Sequence, residues 1–477
     1  MSERVSKSKV LLIALIVTIG GLLFGHNTAV VNGSLSFLVD SWNISSWMQG
    51  LISSALELSA AIGAIFGGGI SDKIGRKKTL RIISWIFLIG AVGCAMAPSA
   101  WFLVGARFFL GLAVGSASAT VPIYLAEIST TASRGRVVSI NQVMIVSGQF
   151  LAFLLNWLLG RLFIGSDGTI LYSGAWRLMM GVAIIPALVM IIGMTKVFES
   201  PKWLVKQGKL QKAVEVIKSI YSRDEDQKAQ IAELHEMQEQ LQQKCKVVKT
   251  RGKIPAWAVR VAVIGCLLGI IQQFVGINAM MYYSTNIMEN FGFSKQAALM
   301  FNVFNGVLCV AGAMIAMNVV DKMGRKKLDS VGLIVCAASL VLVGVLSNLL
   351  AGMSYTPYVL LALIFIYIFA FQGAVGPCTW LLISEIFPGE YRGMFMGIAT
   401  FVLWTANFLV GLLFPPMLEA IGINAIFYIF AGCAVIGLIL VNTLLPETKG
   451  KSLDEIEEFF CNRGKKDKQS STQVNAG

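Results

Sequence analysis

The chain has 477 residues, of which 56% are hydrophobic and 14% charged, and its formal net charge is +13. Water-soluble domains carry close to a quarter charged residues, so this composition excludes an ordinary soluble protein. The basic excess does not signal a nucleic-acid partner. The lysines and arginines stand in short loops beside long apolar runs, where membrane topology accounts for them.

A hydrocarbon layer ~30 Å thick is crossed by about 20 apolar residues in a helix. Lipid leaves no backbone donor or acceptor unpaired, so continuous runs of this length are helices. Read in chain order, the spans fall at 10–32, 49–71, 80–98, 101–125, 137–160 and 175–197. A polar stretch follows at 198–254. The second set falls at 256–288, 295–320, 328–351, 357–384, 394–418 and 423–445. The first run is too long for the core of a signal peptide and is read as a retained span. The expected fold class is therefore an all-α membrane protein of twelve transmembrane helices in two six-helix bundles. The expected domains are 1–197, a linker 198–254, a second bundle 255–448 and a tail 449–477.

Cytoplasmic loops are enriched in Lys and Arg. With the N-terminus inside, only Arg161, Arg177 and Lys295 fall outside and Arg107 lies within a span; the rest of the 39 basic residues face the cytoplasm. Both termini and the 198–254 loop are accordingly assigned to the cytoplasm of a multi-pass cell-membrane protein. In that loop Ile231, Leu234, Met237 and Leu241 recur at helical spacing, so 209–220 and 226–243 are expected as surface helices. The eight cysteines form no C-x-x-C pair, and His26 and His235 are the only histidines. Neither a disulfide framework nor a metal or other cofactor is expected.

The halves repeat each other. Asp72-Lys-Ile-Gly-Arg76-Lys-Lys follows span two, and Asp321-Lys-Met-Gly-Arg325-Lys-Lys follows span eight. Glu127 and Arg134 bracket the loop after span four, as Glu385 and Arg392 do after span ten. Opposite charges at neighbouring helix ends suit a latch at the cytoplasmic gate, or simply topology and solubility, since an exposed pair contributes only ~0–1 kcal/mol. Internal repeats with a site between them are a common plan of secondary transporters.

These motifs, with Phe198-Glu-Ser-Pro-Lys202 after span six and Pro446-Glu-Thr-Lys-Gly450 after span twelve, resemble the sugar porter family of the major facilitator superfamily. The resemblance covers nearly the whole chain. The stretches Gln142–Gln149, Gln372–Trp380 and Leu403–Phe408 look most like bacterial myo-inositol transporters and their hexose-accepting relatives. The resemblance implies a transporter of a monosaccharide or cyclic polyol, and it favours the latch at the charged loop ends.

A polyol presents hydroxyls around an apolar ring face, so its pocket needs amides and an aromatic wall. Amides inside an apolar span are costly unless paired. Span seven holds Gln272, Gln273 and Asn278, expected on roughly one helix face. By resemblance these contact the substrate, with Gln149 of span five, Tyr283, Trp380, Trp404 and Asn407, and with Phe24 as an apolar lid. The same amides would also serve to knit helices together. Leu403 and Cys309 stand where many hexose-transporting members have amides, as in the inositol-like subgroup.

Proton-coupled members of the family usually have an Asp where Asn27 stands, facing an Arg where Arg107 stands. Asn27 does not titrate, so on that comparison the protein is a facilitator. Glu57 lies inside span two at a depth comparable to Asn27 and Arg107, ~10 Å from the outer end at ~1.5 Å per residue. It is expected either as a relocated proton site paired with Arg107 or as a structural partner of that arginine, and His26 is a second titratable candidate. A sugar/proton symporter therefore stays open as an alternative. So does a sensor that binds sugar without transport, though the short lysine-rich tail favours a transporter. No nucleotide-binding loop or nucleophile–base constellation argues for an enzyme. A monomer suffices, and the sequence leaves the oligomeric state open.

Overall fold

A computed structural model describes residues 2–130, 134–165, 169–221, 224–244, 254–388, 391–451 and 455–461. Among these the regular secondary structure is helical apart from one isolated β-bridge, Ile164–Ile170. The first half runs α1 Ser2–Trp42, α2 Ser46–Ile74, α3 Arg76–Ala95, α4 Ala100–Ile128, α5 Arg134–Phe163, α6 Ala175–Gly181 and α7 Ile184–Gly193. Three short helices follow, α8 Pro201–Lys206, α9 Leu210–Ile220 and α10 Asp224–Lys244. The second half runs α11 Ala256–Phe274, α12 Ile277–Asn290, α13 Lys295–Met323, α14 Arg325–Leu349, α15 Thr356–Ala370, a π-helical turn Phe371–Val375, α16 Gly376–Ile386 and α17 Arg392–Leu444.

Eleven helical stretches among the described residues are long and apolar enough to cross a bilayer. The last, 53 residues long, reverses at Gly422, where φ is 75°, so it makes two crossings and the described residues cross twelve times. Twelve crossings bring both termini to one end of the bundle, called here the termini end; the opposite end is the far end.

The sequence dictates where helices start. At the far end, Ser45, Ser99 and Ser294 cap α2, α4 and α13, each side chain accepting a backbone N–H three residues on. This satisfies one of the donors that a helix start leaves orphaned. At the termini end α3 and α14 have no such cap of their own. Their free N–H groups are taken by glutamates from distant motifs. Glu199 accepts from the backbone N of Arg76 at 2.8 Å and of Lys77 at 3.0 Å. Glu447 accepts from the backbone N of Arg325 at 2.9 Å and of Lys327 at 3.3 Å. Each carboxylate also complements the positive end of a helix dipole.

Helices α8–α10 dock beneath the first half. The Trp203 indole donates to the Asp72 carbonyl at 2.8 Å, the Tyr221 hydroxyl to the Ile128 carbonyl at 2.7 Å, and Lys202 pairs with Glu233 at 2.6 Å.

The halves meet along α1–α12, α2–α17 and α5–α13. Their contacts lie towards the far end: Gly50 of α2 against the Leu412 backbone, Gly306 of α13 against Phe150, and Asp40 of α1 within 3.8 Å of Lys295. Helices α4 and α16, which hold equivalent places in the two halves, pack chiefly within their own half. The structure is thus closed at the far end.

Candidate substrate site and gates

The polar residues of span seven do not share one helix face. The span breaks after Phe274: Gly276 has φ of +96°, which favours glycine, and α12 restarts at Ile277. Gln272 and Gln273 therefore end one helix and Asn278 begins another. The break bends the amides towards each other. Asn278 donates its amide to Gln273 Oε1, Gln273 donates to Gln272 Oε1 at 3.3 Å, and Gln272 donates to the Gly376 carbonyl at 3.2 Å. The chain of amides runs to the π-helical turn of span ten, where Gln372 donates to Cys309 Sγ at 3.6 Å. A π-turn frees a backbone group from the regular ladder and commonly marks a functional position.

The two halves supply one aromatic each. The rings of Phe24 and Trp404 lie 5.5 Å apart, tilted by 53°. Gln149 belongs to this neighbourhood, because its backbone N lies 3.0 Å from where a Cβ on Gly25 would stand. Gly269, one turn before Gln273, abuts Leu403, which precedes Trp404. Two polar atoms here are buried without a partner, Gln149 Oε1 and Trp404 Nε1. A buried donor or acceptor left unpaired costs ~1–3 kcal/mol. The pair offers one acceptor and one donor to a small hydroxylated molecule. Trp380 sits mid-α16 and is 40% exposed.

Two other predicted contacts are committed elsewhere. Asn407 exchanges hydrogen bonds with the Tyr282 hydroxyl at 3.1 and 3.2 Å. Tyr283 donates to the Gly411 carbonyl at 2.6 Å and stacks on Phe414, centroids 4.9 Å apart. Both bind α12 to α17 in this conformation.

The expected Glu57–Arg107 ion pair is absent. Arg107 is buried and spends its guanidinium on backbone carbonyls: Ile52 at 2.5 Å, Ser53 at 3.3 Å and Asn27 at 3.5 Å. It thereby ties α4 to α2 and α1. Asn27 turns its amide back to the Leu23 carbonyl at 2.8 Å. Glu57 is fully buried, and neither carboxylate oxygen has a hydrogen-bond partner. His26 is also buried, with both ring nitrogens unpartnered.

At the termini end the charged residues pair within their own half, across elements other than those the repeats suggested. Arg76 holds Glu127 through two bonds of 2.9 Å and Asp72 at 2.8 Å. Arg325 holds Glu385 at 3.2 Å and Asp321 at 3.0 Å. Arg392 donates to the Phe387 carbonyl at 3.2 and 3.3 Å rather than to Glu385. The Arg134 side chain lies outside the described residues.

Sequence reasoning missed the polar lock at the far end. Asn32 of α1 donates to the Met281 carbonyl at 2.8 Å. Its oxygen accepts from the Thr285 N at 3.0 Å, from the Thr285 hydroxyl at 2.5 Å and from Asn302 at 3.2 Å. Asn305 extends the network to Ser284 at 3.0 Å. The signal was present, since Asn32, Asn302 and Asn305 are amides inside apolar spans, the same feature that singled out Gln272 and Gln273.

Two six-helix halves closed over each other at one end, with amides and facing aromatics at the seam, define a membrane transporter of the major facilitator type rather than an enzyme. A family profile described as "Sugar (and other) transporter" matches residues 13–460, and the chain belongs to this family. It is 42% identical over 453 residues to the major myo-inositol transporter IolT of Bacillus subtilis, covering 94% of this chain and 93% of that one. It is 35% identical to the galactose-proton symporter of Escherichia coli, with 95% of each covered. Among solved structures it is similar to the inward-open xylose transporter XylE of E. coli, with a TM-score of 0.80 and 30% identity over 94% of this chain and 99% of that one.

Proposed function

We propose that this protein carries a monosaccharide or cyclic polyol, myo-inositol first among them, across the cytoplasmic membrane by alternating access. The observation that carries the reading is the seam: Phe24 and Trp404 facing each other from opposite halves, with Gln149 Oε1 and Trp404 Nε1 unpaired beside them. A cyclic polyol fits both requirements. Its ring face lies against the aromatics, and its hydroxyls accept from the indole and donate to the amide. Gln272, Gln273 and Asn278 line the same region and exchange their mutual bonds for hydroxyls when substrate enters. The identity to the myo-inositol transporter supports the polyol end of the range. The same amides and the unpaired Gln149 oxygen and Trp404 indole serve hexoses too.

The positive-inside bias assigns the termini end to the cytoplasm. The far end, closed here, is then extracellular, and the two halves rock about the seam as units 1–197 and 255–448, with 198–254 as the strap between them. The paired charges at the termini end, Arg76 with Glu127 and Arg325 with Glu385, keep each half rigid at the cytoplasmic gate, while the exposed Asp72 and Asp321, bonded to the same arginines here, exchange partners when that gate closes. One copy holds both halves of the site, so a monomer suffices.

Substrate runs down its gradient in this reading. Asn27 holds the Leu23 carbonyl and offers no titratable group. The test is uptake of labelled myo-inositol, glucose and xylose into proteoliposomes, with and without an inward proton gradient. Equilibration of at least one substrate, unaffected in extent by the gradient, is the expected result. Accumulation above equilibrium establishes symport instead. Saturable binding of substrate without any flux makes the protein a sensor.

A further inference from the structure

Glu57 has an arrangement that neither transport of sugar nor the seam explains. It lies on α2 in the first half, yet the group beside its carboxylate is the hydroxyl of Tyr282, on α12 of the second half. The hydroxyl stands close enough to interact with the carboxylate, yet neither Glu57 oxygen has a fully formed hydrogen bond. The cover is the far gate itself. One turn away from Glu57 towards the far end, the Ser54 side chain and the Tyr282 ring both abut Gly411 of α17. Beyond them Gly50 touches the Leu412 backbone. Tyr282, Asn407, Gly411 and Leu412, which stand on the far side of Glu57, belong to the half that moves away when that gate opens.

The charged and titratable surroundings are few. Arg107 faces Glu57 from α4, with three of its guanidinium hydrogens donated to carbonyls. The Tyr282 and Tyr283 hydroxyls face it from α12. From α17 comes the uncharged Asn407, bonded to Tyr282. Cys94 of α3 lies near Arg107, and His26 of α1 is buried away from other charges. An ionised carboxylate demands hydrogen bonds when taken from water, and without them its burial costs several kcal/mol even near an opposite charge. A protonated carboxyl is far cheaper to bury, and it has a hydroxyl beside it to bond.

We propose that Glu57 makes closure of the far gate proton-dependent: it takes one proton from far-side water before α12 and α17 close over it, and returns that proton to the same side on reopening. The carboxylate gains H⁺ and becomes the acid; the acid loses it to the water that left it. No net proton crosses the membrane. Acid on the far side therefore favours the closed conformation and changes the rate of transport without driving accumulation. The inference assumes the alternating access proposed above, but its readout does not need a substrate.

The experiment measures the gate directly. Spin labels are placed on Trp47→Cys and Glu419→Cys, exposed positions at the far ends of α2 and α17. The background has the eight native cysteines replaced. Interspin distances are recorded in lipid nanodiscs from pH 4.5 to 8.5 without sugar. The expected result is a closed-to-open ratio that rises as pH falls, by up to about tenfold per pH unit for one linked proton. Glu57→Gln, neutral at every pH, is expected to stay closed throughout, and Glu57→Asp to restore the response. An unchanged pH response in Glu57→Gln overturns the proposal, as does a wild-type ratio that ignores pH. Gradient-driven accumulation in proteoliposomes that Glu57→Gln abolishes also overturns it, since the proton then crosses. A chain that moved no sugar at all would still give the distance result.

Discussion

The seam depends on individual side chains whose alternatives are unequal. Gln273 is bonded on both sides, accepting from Asn278 and donating to Gln272, so removing it unpairs two neighbours. Gln273→Ala is expected to raise the apparent substrate KM by about tenfold or more, the cost of ~1–2 hydrogen bonds at about 1 kcal/mol each. Trp404→Phe keeps the ring against Phe24 and removes only the indole N–H. Its expected effect is a smaller KM increase, largest for substrates with a hydroxyl placed to accept from that donor. Transport kinetics with myo-inositol and its deoxy analogues check both. Equal losses for every analogue would show that the indole N–H reads no hydroxyl. Asn278, Gln272 and Gln273 were legible as site candidates because amides in an apolar run stand out by type alone. Their mutual bonding was not legible, because it follows from the bend at Gly276, and an unbroken apolar run gives no sign of where a helix pauses. The failure of the Glu57–Arg107 pairing has a similar cause. Residue identity and depth placed the two near each other, but the carbonyls that claim the guanidinium are backbone groups that every sequence carries.

At the scale of elements, the repeated loop motifs have a structural role that charge counting did not reveal. Glu199 and Glu447 lie over 120 residues from the helix starts they cap, by separations of 123 and 122 positions to Arg76 and Arg325. The two halves use the same device, which is why Phe198–Lys202 and Pro446–Gly450 occupy equivalent places. Burial pushes the Glu447 carboxyl up, but backbone N–H groups of Lys449, Lys327, Arg325 and Lys326 outweigh it and hold the group below the ordinary glutamate range. A carboxyl depressed in the folded state contributes stability above the unfolded value, ~4.3, and loses it as pH falls through the lower folded value. The cap of α14 is therefore intact at neutral pH and weakens as pH falls below the ordinary glutamate range. Glu447→Gln, which keeps the shape and loses the charge, is expected to lower the melting temperature of the detergent-solubilised protein by a few degrees at pH 7. The difference from wild type should shrink as pH falls below the ordinary glutamate range. A difference that persists undiminished there would mean that charge is not what the cap supplies.

For the whole molecule, the question is what holds the far end shut. The lock around Asn32 is uncharged, and the backbones of α2 and α17 come into direct contact at Gly50 and Leu412. Such contact is possible only where no Cβ intervenes, and a side chain at position 50 would meet the Leu412 backbone rather than a flexible side-chain tip. Backbone cannot give way as a rotamer can. Position 50 is one turn inside α2, where leucine is a good helix former, so Gly50→Leu leaves the first half itself unstrained. The collision arises only when the halves close. The expected outcome is a protein that folds, with wild-type melting behaviour within about 1 kcal/mol, but is trapped open at the far end. Substrate binding from that side should persist while uptake falls at least tenfold. Asn32→Ala tests the opposite term: it removes the bonds between α1 and α12 without adding bulk, so closure weakens but is not prevented. Uptake should fall by less than in Gly50→Leu, and the spin-label distance at the far end should broaden rather than shift wholly to the open value. If Gly50→Leu transports normally, the α2–α17 contact is not part of the cycle, and the far end must close through α1–α12 and α5–α13 alone.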